Sequence, residues 1–197
     1  MLWGDYYWVR GQYSKALEYL TSAKENFEQG DVNYPVQLAK CPRWLGRTMA
    51  SQGDYRKGIE MLDQAISINE KFGPDFDITQ TLVMKSCLLL KTTNDFCDAS
   101  LYRFIEASAK KARDRASPIT FADTLECLAE LYAGRKDWET AIAYYCEAEL
   151  GYGRGQDVHN AAARCRRHQA QHAKLRDDPV LDEKTVRTEG KIYESLV

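Results

Sequence analysis

What this chain lacks narrows its function before anything it contains. No run of about 18 apolar residues occurs, the length that a membrane-crossing helix needs. The opening Met1-Leu2-Trp3-Gly4-Asp5 lacks the basic-then-apolar form of a secretory leader, so a cytoplasmic protein is expected, with a nuclear one as the alternative. Strand-like alternation is absent, and with it the strand that a Gly-rich phosphate loop would follow. Neither an HExxH helix nor a GxSxG turn is present. These absences exclude the common metallopeptidase, hydrolase and nucleotide-binding designs. No enzymatic activity, small-molecule substrate or cofactor is expected. With a formal net charge of −2, nothing draws the whole surface toward nucleic acid.

Cysteine and histidine are present without a chemical pattern. The six cysteines, Cys41, Cys87, Cys97, Cys127, Cys146 and Cys165, form no CxxC pair and read as small, mostly buried residues of a reducing compartment. All three histidines stand between positions 159 and 172. Cys165, His168 and His172 share a helix face, with His159 near it. At 1.5 Å per residue, i to i+7 spans about 10 Å, too far for one ion, so no metal is expected. The two later histidines then read as exposed residues of an amphipathic helix.

What is there is a phrase used four times. Gly11-Gln12-Tyr13, Gly53-Asp54-Tyr55, Asn94-Asp95-Phe96 and Lys136-Asp137-Trp138 each run from a helix-stopping or polar residue through a polar one to an aromatic. Ala16, Gly58, Ala99 and Ala141 stand three residues after each aromatic. The phrases begin at 11, 53, 94 and 136, a fixed step of 42, 41 and 42 residues. Such a period marks stacked units, none of which buries a core alone. Apolar stretches of helical period flank each phrase, which therefore reads as the turn of a helical hairpin. Gly or Asn tolerates the left-handed conformation that ends the first helix. Asp54, Asp95 and Asp137 place a carboxylate at the start of the second, and the small residue lets the two helices approach.

These residues resemble the tetratricopeptide repeat family. The second unit carries Leu45-Gly46, Gly53-Asp54-Tyr55, Gly58 and Ala65; the first carries Trp3-Gly4, Tyr7, Gly11, Tyr13, Ala16 and Ala23. The fourth keeps Leu128-Ala129, Tyr132, Trp138, Ala141, Tyr145 and Ala148. The third is the poorest match, with Ser86-Cys87 in place of Leu-Gly and Arg103 in place of an aromatic. The resemblance covers residues 1–152. Its period exceeds the family's usual length of about 34, adding roughly one helical turn to each helix. Long repeats of this kind look like those of kinesin light chains, cell-polarity adaptors and the sensor arrays of signalling NTPases. The implied fold is all-α, a right-handed α-solenoid of antiparallel helix pairs with a capping helix at its C-terminal end.

In chain order, hairpins are expected at about 1–30, 34–72, 76–115 and 118–152, then a cap helix at 157–176, making one array over 1–176. The first helix has room only for Met1 to about Arg10, as in a chain that begins inside a repeat, whole or cut from a longer array. Its Trp3, Tyr6, Tyr7 and Trp8 either pack on the helix at 14–29 or form a contact face. Pro42 falls inside the helix that opens at Pro35, so a bend over Leu38–Pro42 is expected rather than two helices. Residues 78–92 are apolar on several sides and should be buried on several sides. Ser117 should cap the helix that begins with Pro118. Gly151 to Gly155 reads as a loop, Asp157 as the cap of the last helix, and 177–197 as a polar, mobile tail. The final Ser195-Leu196-Val197 has the form of a PDZ ligand.

In the resembled family the first helix of each hairpin lines a concave groove. Carried over residue by residue, the lining is Lys40, Arg43 and Arg47, then Thr81, Met84 and Leu88, then Asp123, Glu126 and Glu130. The groove would be basic at one end, apolar in the middle and acidic at the other. It suits a protein or peptide partner of complementary order. The basic Arg164–Arg167 stretch is a competing occupant that could fold back on Glu126 and Glu130. No Asn stands at these positions, which weighs against the family's chaperone-tail carboxylate clamp. Self-association through the N-terminal aromatic face is the alternative function. Nucleic-acid binding through the last helix is a lesser one, since its short basic cluster lacks interleaved aromatics.

Overall fold

The computed structural model describes residues 2–30, 35–72, 75–115, 117–153 and 159–177. Expectations for Asp157 as a cap, for the 178–197 tail and for the Ser195-Leu196-Val197 terminus lie outside them. Among the described residues there are nine helices and no strand: α1 Leu2–Val9, α2 Tyr13–Gln29, α3 Pro35–Ser51, α4 Tyr55–Phe72, α5 Asp75–Thr92, α6 Ala99–Arg115, α7 Pro118–Gly134, α8 Trp138–Gly153 and α9 His159–Asp177. The fold is an all-α solenoid of repeated helix pairs. Two compact units make it up, Met1–Thr92 and Thr93–Val197. The division falls at the third turn, where the sequence fits the repeat worst.

Three of the four turn phrases close in the same way. In each, the N–H of the phrase's second residue reaches back five positions and that of its first reaches back three: Gln12 to Tyr7 and Gly11 to Trp8, Asp54 to Met49 and Gly53 to Ala50, Asp137 to Tyr132 and Lys136 to Ala133. This paired closure satisfies the last carbonyls of the first helix and needs a left-handed residue at its centre. Gly11 (φ 70°), Gly53 (φ 85°) and Lys136 (φ 63°) supply it. Asp54 and Asp137 then accept from the N–H of Lys57 (3.3 Å) and Thr140 (3.2 Å) as helix caps. Lys136 does with a Cβ what the two glycines do without one. Lys136→Gly is therefore expected to stabilise the protein by about 0.5–1 kcal/mol, the left-handed penalty less the entropy a glycine adds to the unfolded chain. A rise of a few degrees in the melting temperature would show it.

The third turn differs. Asp95 accepts from the N–H of Cys97 (2.8 Å), and the residue that caps α6 is Asp98, which accepts from the N–H of Ser100 (2.8 Å). The helix thus starts at Ala99 instead of near Asp95, and Ala99 is exposed where Ala16, Gly58 and Ala141 are buried. An Asp can close a turn on its own backbone, and two Asp residues three apart offer two capping frames.

In the first unit, α1 packs on α2, α2 on α3, α3 on α4 and α4 on α5, and α5 also meets α3. Close approach rests on small residues. A Cβ on Gly4 would lie 2.6 Å from Leu20 Cγ, and α3 and α4 meet at Gly46 and Gly58. Pro42 is carried inside a single helix, α3. Along α5, Ile78, Thr79, Thr81, Leu82, Val83, Ser86, Leu88 and Leu90 are buried, more than one face, as the apolar run required. In the second unit α6 packs on α7, α7 on α8 and α8 on α9. Its core gathers Ala122, Leu125, Ala129, Tyr145, Ala148, Tyr152, Ala162 and Cys165. Ser117 caps α7 by accepting from the Thr120 N–H (3.2 Å), with Pro118 in the first turn. Gly151 to Gly153 continue α8 rather than opening a loop, because Tyr152 is buried and bonded from that helix.

Candidate functional site

The first helices of unit Met1–Thr92, α1, α3 and α5, are joined by side-chain contacts along one face. Trp8 on α1 donates its indole N–H to Ser51 Oγ of α3 (3.1 Å), and Ser51 in turn donates to the Arg47 carbonyl (3.0 Å). Trp8 and Trp44 meet edge to face at 6.0 Å. The Arg47 guanidinium lies over both rings, 3.7 Å from the centre of Trp8 and 5.0 Å from that of Trp44. Such a placement suits the weakly hydrated guanidinium, which the electron-rich face of an indole attracts. One turn earlier, Arg43 donates to Gln80 Oε1 of α5 (2.9 Å). Lys40 is half-buried on the same stripe of α3.

Asp5 completes this cluster. Its Oδ1 is buried and has no hydrogen-bond partner among the described residues. Burial raises its pKa; nearby positive charges, Arg47 and Arg43 among them, oppose that rise. Asp5, Trp8 and Trp44 were not among the residues expected from sequence to line the face. Asp5 stands one repeat step of 42 residues before Arg47, so carrying the stripe back into the first hairpin would have found it. Trp44 and Arg47 stand one turn apart on α3, but their meeting with Trp8 has no local signal, because it joins residues far apart in the chain.

The other two stripes are placed differently. On α5, Thr81 and Leu88 are buried, and Met84 is half-buried. Leu88 packs toward α4, where a Cβ on Gly58 would lie 3.1 Å from its Cδ1. On α7 of the second unit, the carboxylates meet groups of their own chain. Arg164 of α9 grips Glu126 with two donors, Nε to Oε1 and Nη2 to Oε2 at 2.7 Å. The Tyr152 hydroxyl lies 2.6 Å from Asp123 Oδ1 and 2.9 Å from Glu126 Oε2. Hydrogen bonding to Glu126 raises the Arg164 pKa, and burial followed by the two carboxylates raises that of Tyr152. The fold-back expected of the Arg164–Arg167 stretch thus reaches Glu126 through Arg164. Glu130 is half-buried.

The histidines are not the exposed residues that amphipathicity suggested. His172 is buried and stacked between Trp138 (5.1 Å) and Tyr145 (5.6 Å), and His168 stacks on Tyr145 (5.0 Å). Flat rings of α9 lie on flat rings of α8, and burial lowers the pKa of both histidines. Among the described residues no group of three His, Cys, Asp or Glu side chains is placed to hold a metal ion. All six cysteines are free thiols; Cys97 and Cys146 are exposed, and burial pushes Cys41 up to about 11 and Cys165 up to about 12. No helix among the described residues is long and apolar enough to cross a membrane.

The architecture is that of a TPR-like helical repeat protein. No family model and no curated protein matches the chain. Solved structures do. BtubC (BKLC) of P. vanneervenii superposes with a TM-score of 0.73 at 14% identity, over 98% of this chain and 78% of that one. Nearly identical TPR-like repeats assigned to a kinesin light chain of Podosopora anserina give 0.65 at 12% identity, over 98% and 92%. MamA of Desulfovibrio magneticus RS-1, from residue 41 to its end, gives 0.53 at 17% identity, over 88% and 91%. At these identities the likeness is one of fold.

Proposed function

We propose that the protein is a non-catalytic, cytoplasmic interaction scaffold that binds a peptide or partner segment along its first-helix faces. The observation that carries this is the lined face of α1, α3 and α5, where side chains from three successive hairpins meet. A stacked array presents such a face as a by-product of burying its core on the other sides of the helices. Lys40, Arg43 and Arg47 form the basic stripe of this face; on α5 only Met84 of the expected stripe is half-exposed, Thr81 and Leu88 being buried, and Asp123, Glu126 and Glu130 are the acidic stripe of the second unit. Glu126 is already neutralised by Arg164, so the basic stripe carries most of the recognition and the acidic stripe least. Replacing Lys40, Arg43 and Arg47 together by Glu should reduce partner capture at least tenfold while leaving the helical circular dichroism unchanged. Undiminished capture by that variant would refute the reading.

A second reading is favoured by a separate observation. Leu2, Trp3, Tyr6, Val9 and Tyr19 are exposed on the first hairpin, more large apolar surface than isolated side chains present. Self-association through this face predicts a mass in sedimentation that grows with concentration and reverts to monomer in a Trp3→Glu variant. A monomer at all concentrations rules it out.

A further inference from the structure

We propose that the furrow between α6 and α8 of the second unit receives a basic side chain, Lys or Arg, of a partner protein, over Tyr144 and between Glu106 and Glu147. The site uses none of the first-helix stripe residues and stands or falls without the face of α1, α3 and α5. Helices α6 and α8 both pack on α7, which floors the space between them. One tyrosine from each helix meets there. Tyr102 and Tyr132 stand edge to face at 6.3 Å, and Tyr132 stacks on Tyr144 at 5.6 Å. The Tyr132 hydroxyl donates to that of Tyr102 (3.4 Å), which donates to Glu106 Oε1 (3.4 Å). The three rings are half-buried, and Glu106 and Glu147 are exposed beside them.

Spacing turns both carboxylates toward the furrow. Tyr102 and Glu106 are i and i+4 on α6, and Tyr144 and Glu147 are i and i+3 on α8. Glu149, two places on, turns the other way and is bonded to Arg166 and Gln169 of α9. Neither Glu106 nor Glu147 has an ion-pair partner among the described residues. Both act on Tyr144: burial raises its pKa first, then Tyr132 and Glu147, with Glu106 adding and Arg113 opposing. Arg113, a cation of the chain's own on this side, lies over the Phe121 ring at 5.5 Å. Two carboxylates beside one partly desolvated furrow repel each other, and a cation between them removes the repulsion.

The rings supply the other half of the recognition. What they accept is shown by Arg135, whose guanidinium lies 5.0 Å from the centre of Tyr102 and 5.7 Å from that of Tyr132, fixed there by its Nε donating to the Phe96 carbonyl (2.6 Å). Tyr144 has Tyr132 on one face. Its other face meets no ring or cation among the described residues. An electron-rich ring flanked by two carboxylates attracts an ammonium or guanidinium group and repels phosphate. Nucleic acid is therefore disfavoured here, although stacking rings are present.

The test is a random dodecapeptide display library selected on the full chain and depleted on a Glu106→Gln, Glu147→Gln double variant. Both glutamates are exposed, so the variant should keep its helical circular dichroism and melt within a degree or two of the parent. Peptides that survive should carry Lys or Arg, bind the double variant at least tenfold more weakly and lose affinity as salt rises. Norleucine in place of the Lys, or citrulline in place of the Arg, should abolish binding, and Tyr144→Leu should weaken it several-fold. Failure to recover any peptide that distinguishes parent from double variant overturns the inference. So do surviving peptides that lack a basic residue or are indifferent to Tyr144→Leu. Each of these results leaves the first-helix reading to its own test. A parent that self-associates in sedimentation and becomes monomeric in the double variant would give the furrow to a second copy and overturn the inference as well.

Discussion

Gly46→Ala is expected to destabilise the Met1–Thr92 unit by about 2 kcal/mol, although alanine is the better helix former. The propensity gain for Gly to Ala inside a helix is about 1 kcal/mol. Against it stands the crossing of α3 and α4. A Cβ on Gly46 would lie 2.7 Å from the carbonyl oxygen of Gly58 and 3.1 Å from Leu62 Cγ. The first of these is backbone in the first turn of α4, and it cannot turn aside as a side chain could. Moving α4 away would open its contacts with α5, because a Cβ on the opposing Gly58 would already lie 3.1 Å from Leu88 Cδ1. Overpacking of this kind costs about 1–3 kcal/mol and occasionally more. The readout is convenient. Trp3, Trp8 and Trp44 stand in this unit and Trp138 in the other, so tryptophan fluorescence in denaturant follows mainly the first unit. Gly153→Ala is the control: nothing among the described residues lies within 4 Å of a Cβ there, and its effect should be small. An unchanged midpoint for Gly46→Ala would mean that the two helices are free to separate.

The Gly46 contact also shows what could be read in the sequence and what could not. Turns, caps and small-residue positions were legible because their chemistry is local. Gly53 had to turn left-handed, Asp54 had to cap, and Gly58 had to let a neighbour close, whatever lay elsewhere in the chain. The third turn escaped the same reasoning because Asn94-Asp95-Phe96 has a second Asp within reach. Local chemistry allowed two frames, and the structure uses Asp98. The candidate site was legible only as a stripe. Spacing placed Lys40, Arg43 and Arg47 on one face of one helix. It could not bring Trp8 beneath Arg47, since that depends on how far α1 slides along α3. The pairing of Glu126 with Arg164 could be read only as one possible fold-back of the Arg164–Arg167 stretch, because it joins two helices with another helix between them in the chain. The histidines were misread for a related reason. A polar residue on an Ala-rich helix looks solvent-facing until the aromatic residues of the preceding helix are known to lie beneath it.

That misreading leads to the second large effect, a loss of stability in acid traceable to one residue. His172 is 7% exposed, lies between Trp138 and Tyr145, and its Nδ1 has no hydrogen-bond partner among the described residues. Burial first, and His168 second, depress its pKa from 6.5 to about 4. A group depressed in this way binds its proton more readily in the unfolded chain. Its contribution is therefore complete above pH 6.5 and is lost progressively as the pH falls toward 4. At the lower limit the loss amounts to about 3 kcal/mol, taking 1.36 kcal/mol per pKa unit. His168, lowered mainly by burial, acts in the same direction, while Glu126 opposes and Arg164 and Arg167 reinforce its shift. His172→Phe keeps a flat ring in the stack and removes the titration. The difference in unfolding free energy between pH 7 and pH 4 should shrink by about 3 kcal/mol in this variant. At neutral pH the variant should be as stable as the parent or slightly more so, because a buried nitrogen without a partner is exchanged for carbon. Trp138, stacked on His172, reports the transition through its fluorescence. Parallel acid slopes for parent and variant would mean that His172 takes up its proton in the folded protein as easily as in water, and that the rings of α9 do not seal against α8.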